Sequence, residues 1–129
     1  MKSSAIQLGI KHQVQFVVEA SHLAHRIGSG MLPVLSTPSL IAWLEFTAME
    51  TVASCLSDNE TTVGVAVSFQ HLKAVPLLAV VVCQAVVTAL EGRRISFEWK
   101  AFDAAQVLIG SGSHDRFVVD VDRFMAKLS

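Results

Sequence analysis

One long segment of helical character, followed by four runs of strand-forming residues, limits the fold of this chain more than any other feature. The helix is predicted over 38–56, because Pro38 suits a first helical turn and Ser36 or Thr37 can cap its exposed amide groups. The strand-forming runs follow at 61–75, 77–90, 93–104 and 106–124. The breaks between them, such as SDNE and EGRR, are too short for crossover helices, so the runs are predicted to pair as antiparallel neighbours.

A further strand is predicted before the helix. Residues 12–20 read HQVQFVVEA and alternate apolar with polar side chains, the period of two that is typical of a strand. Glycine, proline and serine cluster at 28–39, which indicates a loop. One strand, one helix and four strands predict an α+β hotdog fold, in which an antiparallel β-sheet wraps around one long central helix. The length of 129 residues indicates that 1–129 is a single domain.

Composition favours an oligomer and argues against several kinds of partner. Hydrophobic residues make up 52% of the chain and charged residues 16%, which is more apolar surface than one compact domain of this size can bury, so a homodimer is expected. A formal net charge of -1 argues against a nucleic-acid partner. Cys55 and Cys83 lack metal-ligand spacing, which indicates buried, reduced thiols in a cytoplasmic protein and no metal site. Without a phosphate-binding or dinucleotide motif, no cofactor is expected.

The uncharged run at 74–90 is the candidate for a membrane span. It holds 17 residues, which is the lower limit for a spanning helix. Pro76, Gln84 and the high valine content favour a buried strand instead. The amino-terminal sequence MKSSAIQLGIKHQ lacks the apolar stretch of a signal peptide. No membrane partner is therefore expected.

A carboxylate, Glu45, interrupts the apolar surface of the predicted helix. At about 100° per residue it lies on the same arc as several apolar side chains, whereas Glu50 falls on the opposite, solvent side. The apolar neighbours on that arc are Ile41, Ala48, Met49 and Val52. Because an unpaired buried carboxylate is costly, Glu45 requires a partner or a water-filled pocket. A structural hydrogen bond and a salt bridge across a dimer interface both remain open.

Two further polar residues stand at positions where chemistry is possible. Thr37 is either a helix cap or a hydroxyl beside the first-turn N–H groups, which suit a polarised carbonyl oxygen. It lies about 12 Å from Glu45 along a helix, so the two are expected to flank a substrate or to meet across a dimer. His71 continues an apolar row from Val63, and is either a core residue or a base near neutral pH. His114, beside Arg116, is expected to line a strand or to be exposed on an edge strand.

The spacing of these residues resembles a known family. T-x7-E at 37–45, G-x6-H-x4-P at 64–76, EGRRISFEW at 91–99 and IGSGSHDRFVV at 109–119 resemble the fluoroacetyl-CoA thioesterases, which are single-hotdog proteins. The resemblance covers nearly everything after residue 33. It implies a homodimer with acyl-CoA sites between the subunits.

The resemblance also implies roles for individual residues. Thr37, Glu45 and His71 would carry hydrolysis of a small acyl-CoA to a carboxylate and free CoA, with Gly64 close to the thioester. Glu45 would be the nucleophile or would activate water, His71 would orient water or shuttle a proton, and Thr37 would bond the carboxylate or the oxyanion. Basic side chains would contact the CoA phosphates from an exposed rim. The candidates for that rim are Lys73, Arg93, Arg94 and Arg116.

Other activities stay open at this point. A non-catalytic acyl-CoA or small-ligand module would use Glu45 and His71 only as hydrogen-bonding groups, and a hotdog hydratase or dehydratase would also use a carboxylate and a histidine. The chain departs from the family pattern in two places: VPLLA lacks the glycine after the proline turn, and the loop HRIGSGMLPVLS lacks a phenylalanine for a lid. The resemblance therefore extends to the scaffold and to thioester chemistry rather than to a fluorinated substrate.

Overall fold

The computed structural model describes residues 5–129, in which one antiparallel sheet packs against one long helix. The strands are β1 (Lys11–Val17), β2 (Glu60–His71), β3 (Val80–Glu91), β4 (Arg94–Asp103) and β5 (Leu108–Asp120). The helices are α1 (Ala24–Ile27), α2 (Thr37–Ala53) and α3 (Val121–Ala126), with a short 3-10 turn at Ala20–His22. Within the described range α2, at 17 residues, is the one long helix. Residues 1–4, part of the predicted domain and of the segment assessed for a signal peptide, lie outside the described residues.

The sheet has the strand order β1-β3-β4-β5-β2, and every neighbouring pair is antiparallel. Helix α2 lies against one face, where it contacts β3 and β1 most extensively and also reaches β2 and β4. This arrangement confirms the predicted α+β hotdog fold. The helix turns its leucine side into the sheet: Leu40, Leu44, Ala48 and Val52 are each 0% exposed. Trp43 adds a stacked contact to Phe16 of β1, with ring centroids 4.8 Å apart.

A β-bulge in β2 changes which side chains of that strand face the helix. The register with β5 shifts between Gly64 and Ala66, so that Val65 is the extra residue. Residues directly opposite each other share a face of the sheet. Gly64 is opposite the buried Arg116, which places both on the inner face, and Val63 is opposite the exposed Phe117. The prediction that alternate residues from Val63 to His71 lie in one row on a single face is therefore wrong for the part of the strand before the bulge.

Several predicted boundaries also need correction. Helix α2 ends at Ala53 rather than at 56, because the chain turns at Ser54. The last strand stops at Asp120, whose side chain accepts a hydrogen bond from the Arg123 amide and so begins a short helix inside the predicted 106–124 strand. The first strand likewise ends at Val17 rather than at 20.

The remaining predictions for the apolar segments are partly confirmed. The run at 74–90 forms a loop and most of β3, as the strand prediction requires. Among the described residues no helix has the length and apolar character needed to span a membrane. Both cysteines are free, but only Cys83 is buried; the expectation that Cys55 is buried is wrong, since it is half-buried.

The helix-to-sheet contact should carry much of the stability. We expect Leu44→Ala to lower the free energy of unfolding by about 2–5 kcal/mol, because it removes a fully buried side chain and leaves a cavity under the centre of α2. Urea unfolding at one fixed protein concentration measures this. The matched control is Glu50→Ala, an exposed position on the same helix, with an expected change within about 0.5 kcal/mol. Equal effects at both positions would contradict the packing of α2.

Candidate functional site

The amino terminus of α2 brings Thr37 and His71 together. Ser36 is the N-cap: its side-chain oxygen accepts a hydrogen bond from the Ser39 amide at 3.2 Å, which resolves the choice between Ser36 and Thr37. Thr37 is the first helical residue, and its Oγ1 lies 2.8 Å from Nδ1 of His71, the last residue of β2. We call these two residues the Thr37/His71 pair.

The Thr37/His71 pair lines a groove at the edge of the molecule. The groove has a volume of about 320 Å³ and is bounded by the loop after α1 and by Leu72 and Lys73. Within the described part of the chain, His71 Nε2 is buried and has no hydrogen-bond partner. Burial lowers the pKa of His71, and the backbone of Lys73 partly opposes that shift. A neutral imidazole with one unengaged nitrogen is suited to accept or deliver a proton.

Glu45 lies in a different place, above the inner face of β5. Its Oε2 is 3.7 Å from Arg116 Nη1 and 4.0 Å from His114 Nε2, and its side chain is 39% exposed. The carboxylate therefore has a cationic neighbour in the same chain and keeps access to solvent. The Arg116 contact is longer than a hydrogen bond, so it fixes charge near the carboxylate without tying up both of its oxygens.

Arg116 is held beneath Glu45 by several hydrogen bonds. Its Nε donates to Thr62 Oγ1 at 2.7 Å, its Nη2 to the Thr62 carbonyl at 2.9 Å, and its Nη1 to His114 Nε2 at 3.1 Å. Burial lowers the pKa of Arg116, while Glu45 acts in the opposite direction. The prediction that Arg116 belongs to an exposed rim is wrong, because the residue is only 6% exposed.

Gly64 leaves the space that the Glu45 carboxylate occupies. A Cβ atom on this residue would stand 2.6 Å from Glu45 Oε2 and 3.2 Å from His114 Cε1. Any side chain here would push the carboxylate away from Arg116. We call Glu45, Thr62, Gly64, His114 and Arg116 the Glu45 cluster.

Sequence reasoning missed His114 as a member of this cluster. The alternative of exposure on an edge strand is wrong, because β5 lies between β4 and β2 and His114 is 1% exposed. The sequence shows only that His114, Arg116 and Val118 alternate and so share one face of β5; it does not show that this face is the buried one.

The other basic candidates, of which Arg94 is half-buried and the rest are exposed, are already paired with carboxylates. Lys73 forms an ion pair with Asp103, Arg93 pairs with Glu60 at 3.2 Å, and Arg94 pairs with Asp115 at 2.6 Å. Lys73 alone of these lines the groove that contains His71. Of the expected basic rim, only Lys73 therefore lies near the candidate site.

Within one chain the Glu45 cluster and the Thr37/His71 pair are separate. Eight helical residues between Thr37 and Glu45 correspond to about 12 Å. A larger depression of about 620 Å³ lies elsewhere on the sheet surface, is lined by Gln13, Gln15 and Gln84, and includes neither group. In the described residues no three His, Cys, Asp or Glu side chains converge as metal ligands would.

Known proteins are similar to this chain in sequence and in architecture. The family described as fluoroacetyl-CoA-specific thioesterase, FlK, matches residues 18–122. The fluoroacetyl-CoA thioesterase of Streptantibioticus cattleyicolor is 32% identical over 95 residues, which are 74% of this chain and 68% of that protein. A solved structure of FlK aligns with a TM-score of 0.90 at 27% identity, covering 97% of this chain and 96% of that one.

A more distant structure shares the fold alone. A hot-dog-like protein from Thermanaerovibrio acidaminovorans aligns with a TM-score of 0.86 at 21% identity, covering 95% of this chain and 90% of that one. The family match, by contrast, spans both the Thr37/His71 pair and the Glu45 cluster. The chain therefore belongs to the fluoroacetyl-CoA-specific thioesterase family.

Proposed function

We propose that this protein is a thioesterase that hydrolyses a small acyl-CoA to a carboxylate and free CoA. The observation that carries the proposal is the position of the Glu45 carboxylate. It is partly open to solvent, lies 3.7 Å from the buried guanidinium of Arg116, and has free space beside it because Gly64 has no side chain. Family membership supports the same activity, and solved FlK structures contain acetyl-CoA, or fluoroacetate with CoA. The cytoplasmic location that we also propose rests on the two free cysteines.

The proposed reaction assigns a task to each group. Glu45 either takes a proton from a water molecule that attacks the thioester carbon, or attacks that carbon itself to give an anhydride that water then hydrolyses. In both routes the C–S bond breaks and the CoA thiolate leaves. The Thr37 hydroxyl stabilises the oxyanion. His71 accepts the proton that the water gives up, directly or by way of Glu45, and passes it to the leaving sulfur. Lys73, at the groove mouth, contacts CoA phosphate.

A homodimer would unite the two halves of this site. Strand β2 is at the edge of the sheet, and its Val65 and Val67 side chains are 50% and 48% exposed, which is unusual for an unprotected edge strand. Two β2 strands related by a twofold axis would pair antiparallel. With the axis at Ser68, and with Val65 as the extra residue of the bulge, Gly64 faces the partner's His71. The Glu45 cluster of one protomer would then share one site with the Thr37/His71 pair of the other.

The activity can be tested with a panel of short acyl-CoAs, including acetyl-CoA and fluoroacetyl-CoA, by following thiol release with Ellman's reagent. We expect hydrolysis by the wild type and a loss of kcat of about 10²–10⁴-fold for Glu45→Gln, which keeps the shape but removes the base. The control is Glu50→Gln, the same change on the exposed side of α2.

Three outcomes would contradict the proposal. Full activity of Glu45→Gln would remove the carboxylate from the chemistry. Saturable acyl-CoA binding without thiol release would instead identify a binding module. A change in double-bond absorbance without thiol release would identify a hydratase or dehydratase.

The shared site predicts that two inactive variants complement each other. Glu45→Gln and His71→Ala protomers are mixed, unfolded and refolded together. Random exchange should restore about a quarter of wild-type activity, because half of the dimers are mixed and each mixed dimer has one complete site. The control is each variant refolded alone. A mixture no more active than its components would place the whole site within one protomer.

The role of His71 predicts a particular pH profile. Because burial lowers the pKa of His71, its neutral, basic form persists below the usual titration range near 6.5. Activity should therefore hold at neutral pH and fall only as the pH drops below about 6.5, when the ring gains a proton. The measurement is kcat/KM between about pH 5 and 8. His12→Ala, an exposed histidine change, should keep this profile, and a flat wild-type profile would argue against a base at His71.

A further inference from the structure

His114 is the most enclosed polar side chain of the Glu45 cluster, and the proposed reaction does not yet use it. It is 1% exposed and stacks on Trp99 with ring centroids 4.3 Å apart and planes 14° from parallel. Trp99 is itself fixed, since its Nε1 donates to the Ser68 carbonyl at 3.1 Å. The imidazole therefore has one orientation, set by aromatic packing and by two hydrogen bonds.

Those two hydrogen bonds determine where the ring proton lies. Nδ1 is 2.7 Å from the Ala66 carbonyl, which can only accept, so Nδ1 carries the proton. Nε2 is 3.1 Å from Arg116 Nη1, which can only donate, so Nε2 presents a lone pair. The ring is thus the neutral Nδ1–H tautomer. Burial, and the neighbouring Arg116, lower the pKa of His114, while the Ala66 carbonyl, Glu45 and Asp115 act in the opposite direction.

We propose that His114 is a positioning residue for Glu45, acting through Arg116. Its lone pair binds one N–H of the guanidinium and directs the same nitrogen toward the Glu45 carboxylate, while the carbonyl of the bulged segment holds the ring. The inference rests on the proposed thioesterase function, because it assigns His114 the task of holding the reacting carboxylate over Gly64.

Protonation of the ring would reverse this arrangement. An Nε2–H group and the Arg116 N–H would face each other, so the guanidinium would move away. Glu45 Oε2, which is 4.0 Å from Nε2, would be an acceptor for the new proton. The carboxylate would then be drawn down to His114 instead of facing substrate. The neutral ring is therefore a condition for the Glu45 geometry.

Two substitutions separate positioning from packing. His114→Phe keeps an aromatic ring against Trp99 but removes both hydrogen bonds, and we expect a loss of kcat of about 10²-fold with little change in KM. His114→Gln restores one donor and one acceptor at similar spacing, and should keep kcat within about tenfold of wild type. Ser113→Ala, an exposed change on the same strand, is the control. Unfolding midpoints show whether each variant is folded.

Several results would overturn the proposal. Wild-type kcat in His114→Phe would show that the ring only fills space, and an equal loss in His114→Gln would show that the hydrogen bonds do not matter. If the phenylalanine variant does not fold, a ring-nitrogen NMR spectrum of the wild type decides, with His114 identified by its absence in His114→Gln. An unprotonated Nε2 at neutral pH supports the proposal and a protonated Nε2 overturns it. If the wild type hydrolyses no thioester, the proposed function fails separately, and the same spectrum still tests the His114 arrangement.

Discussion

The buried guanidinium of Arg116 is the constraint on which the candidate site depends. A cation removed from water is stable only when its N–H groups are bonded and its charge is balanced. Thr62 and His114 supply the acceptors, and Glu45 supplies the negative charge. This explains why a carboxylate lies on the apolar side of α2: its negative charge balances the positive charge of Arg116 in the sheet below it. The ion pair of Glu45 and Arg116 leaves the carboxylate accessible to a ligand, because the Glu45 side chain is 39% exposed.

The bulge in β2 is what places both parts of the site on the same side of the sheet. Side chains of a strand alternate between faces, so two residues separated by an odd number of positions normally point in opposite directions. Gly64 and His71 are separated in that way, yet both face α2. The extra residue at Val65 changes the phase between them. Without it, either the opening above Arg116 or the Thr37/His71 contact would be lost to the outer face.

The sequence predicts the periodic elements well and the site only in part. Helix α2 follows from its proline and capping residues, and the strands follow from β-forming runs separated by short breaks; alternation of apolar and polar residues supports the first of them. The bulge is invisible in the sequence, since Val65 resembles its neighbours and nothing local marks it as the extra residue. Ser36 and Thr37 are equally good caps by type, and only the structure shows that Ser36 caps the helix while the Thr37 hydroxyl contacts His71. Leu78 has a φ of 71°, a conformation that favours glycine, and the VPLLA segment gives no local sign of it.

His114 shows why one sequence cannot assign a polar residue to the inside. Alternation along β5 fixes which residues share a face, but it does not say which face is covered. The burial of Val118 identifies the covered face, but it is known only once the pairing of β5 with both β4 and β2 is known. The His114 ring is then shielded from water, so its two nitrogens need hydrogen-bond partners within the protein. These partners are the Ala66 carbonyl and Arg116. The same enclosure that makes His114 hard to predict gives it a single tautomer, and a single tautomer is what allows a ring with no contact to solvent to determine where a carboxylate points.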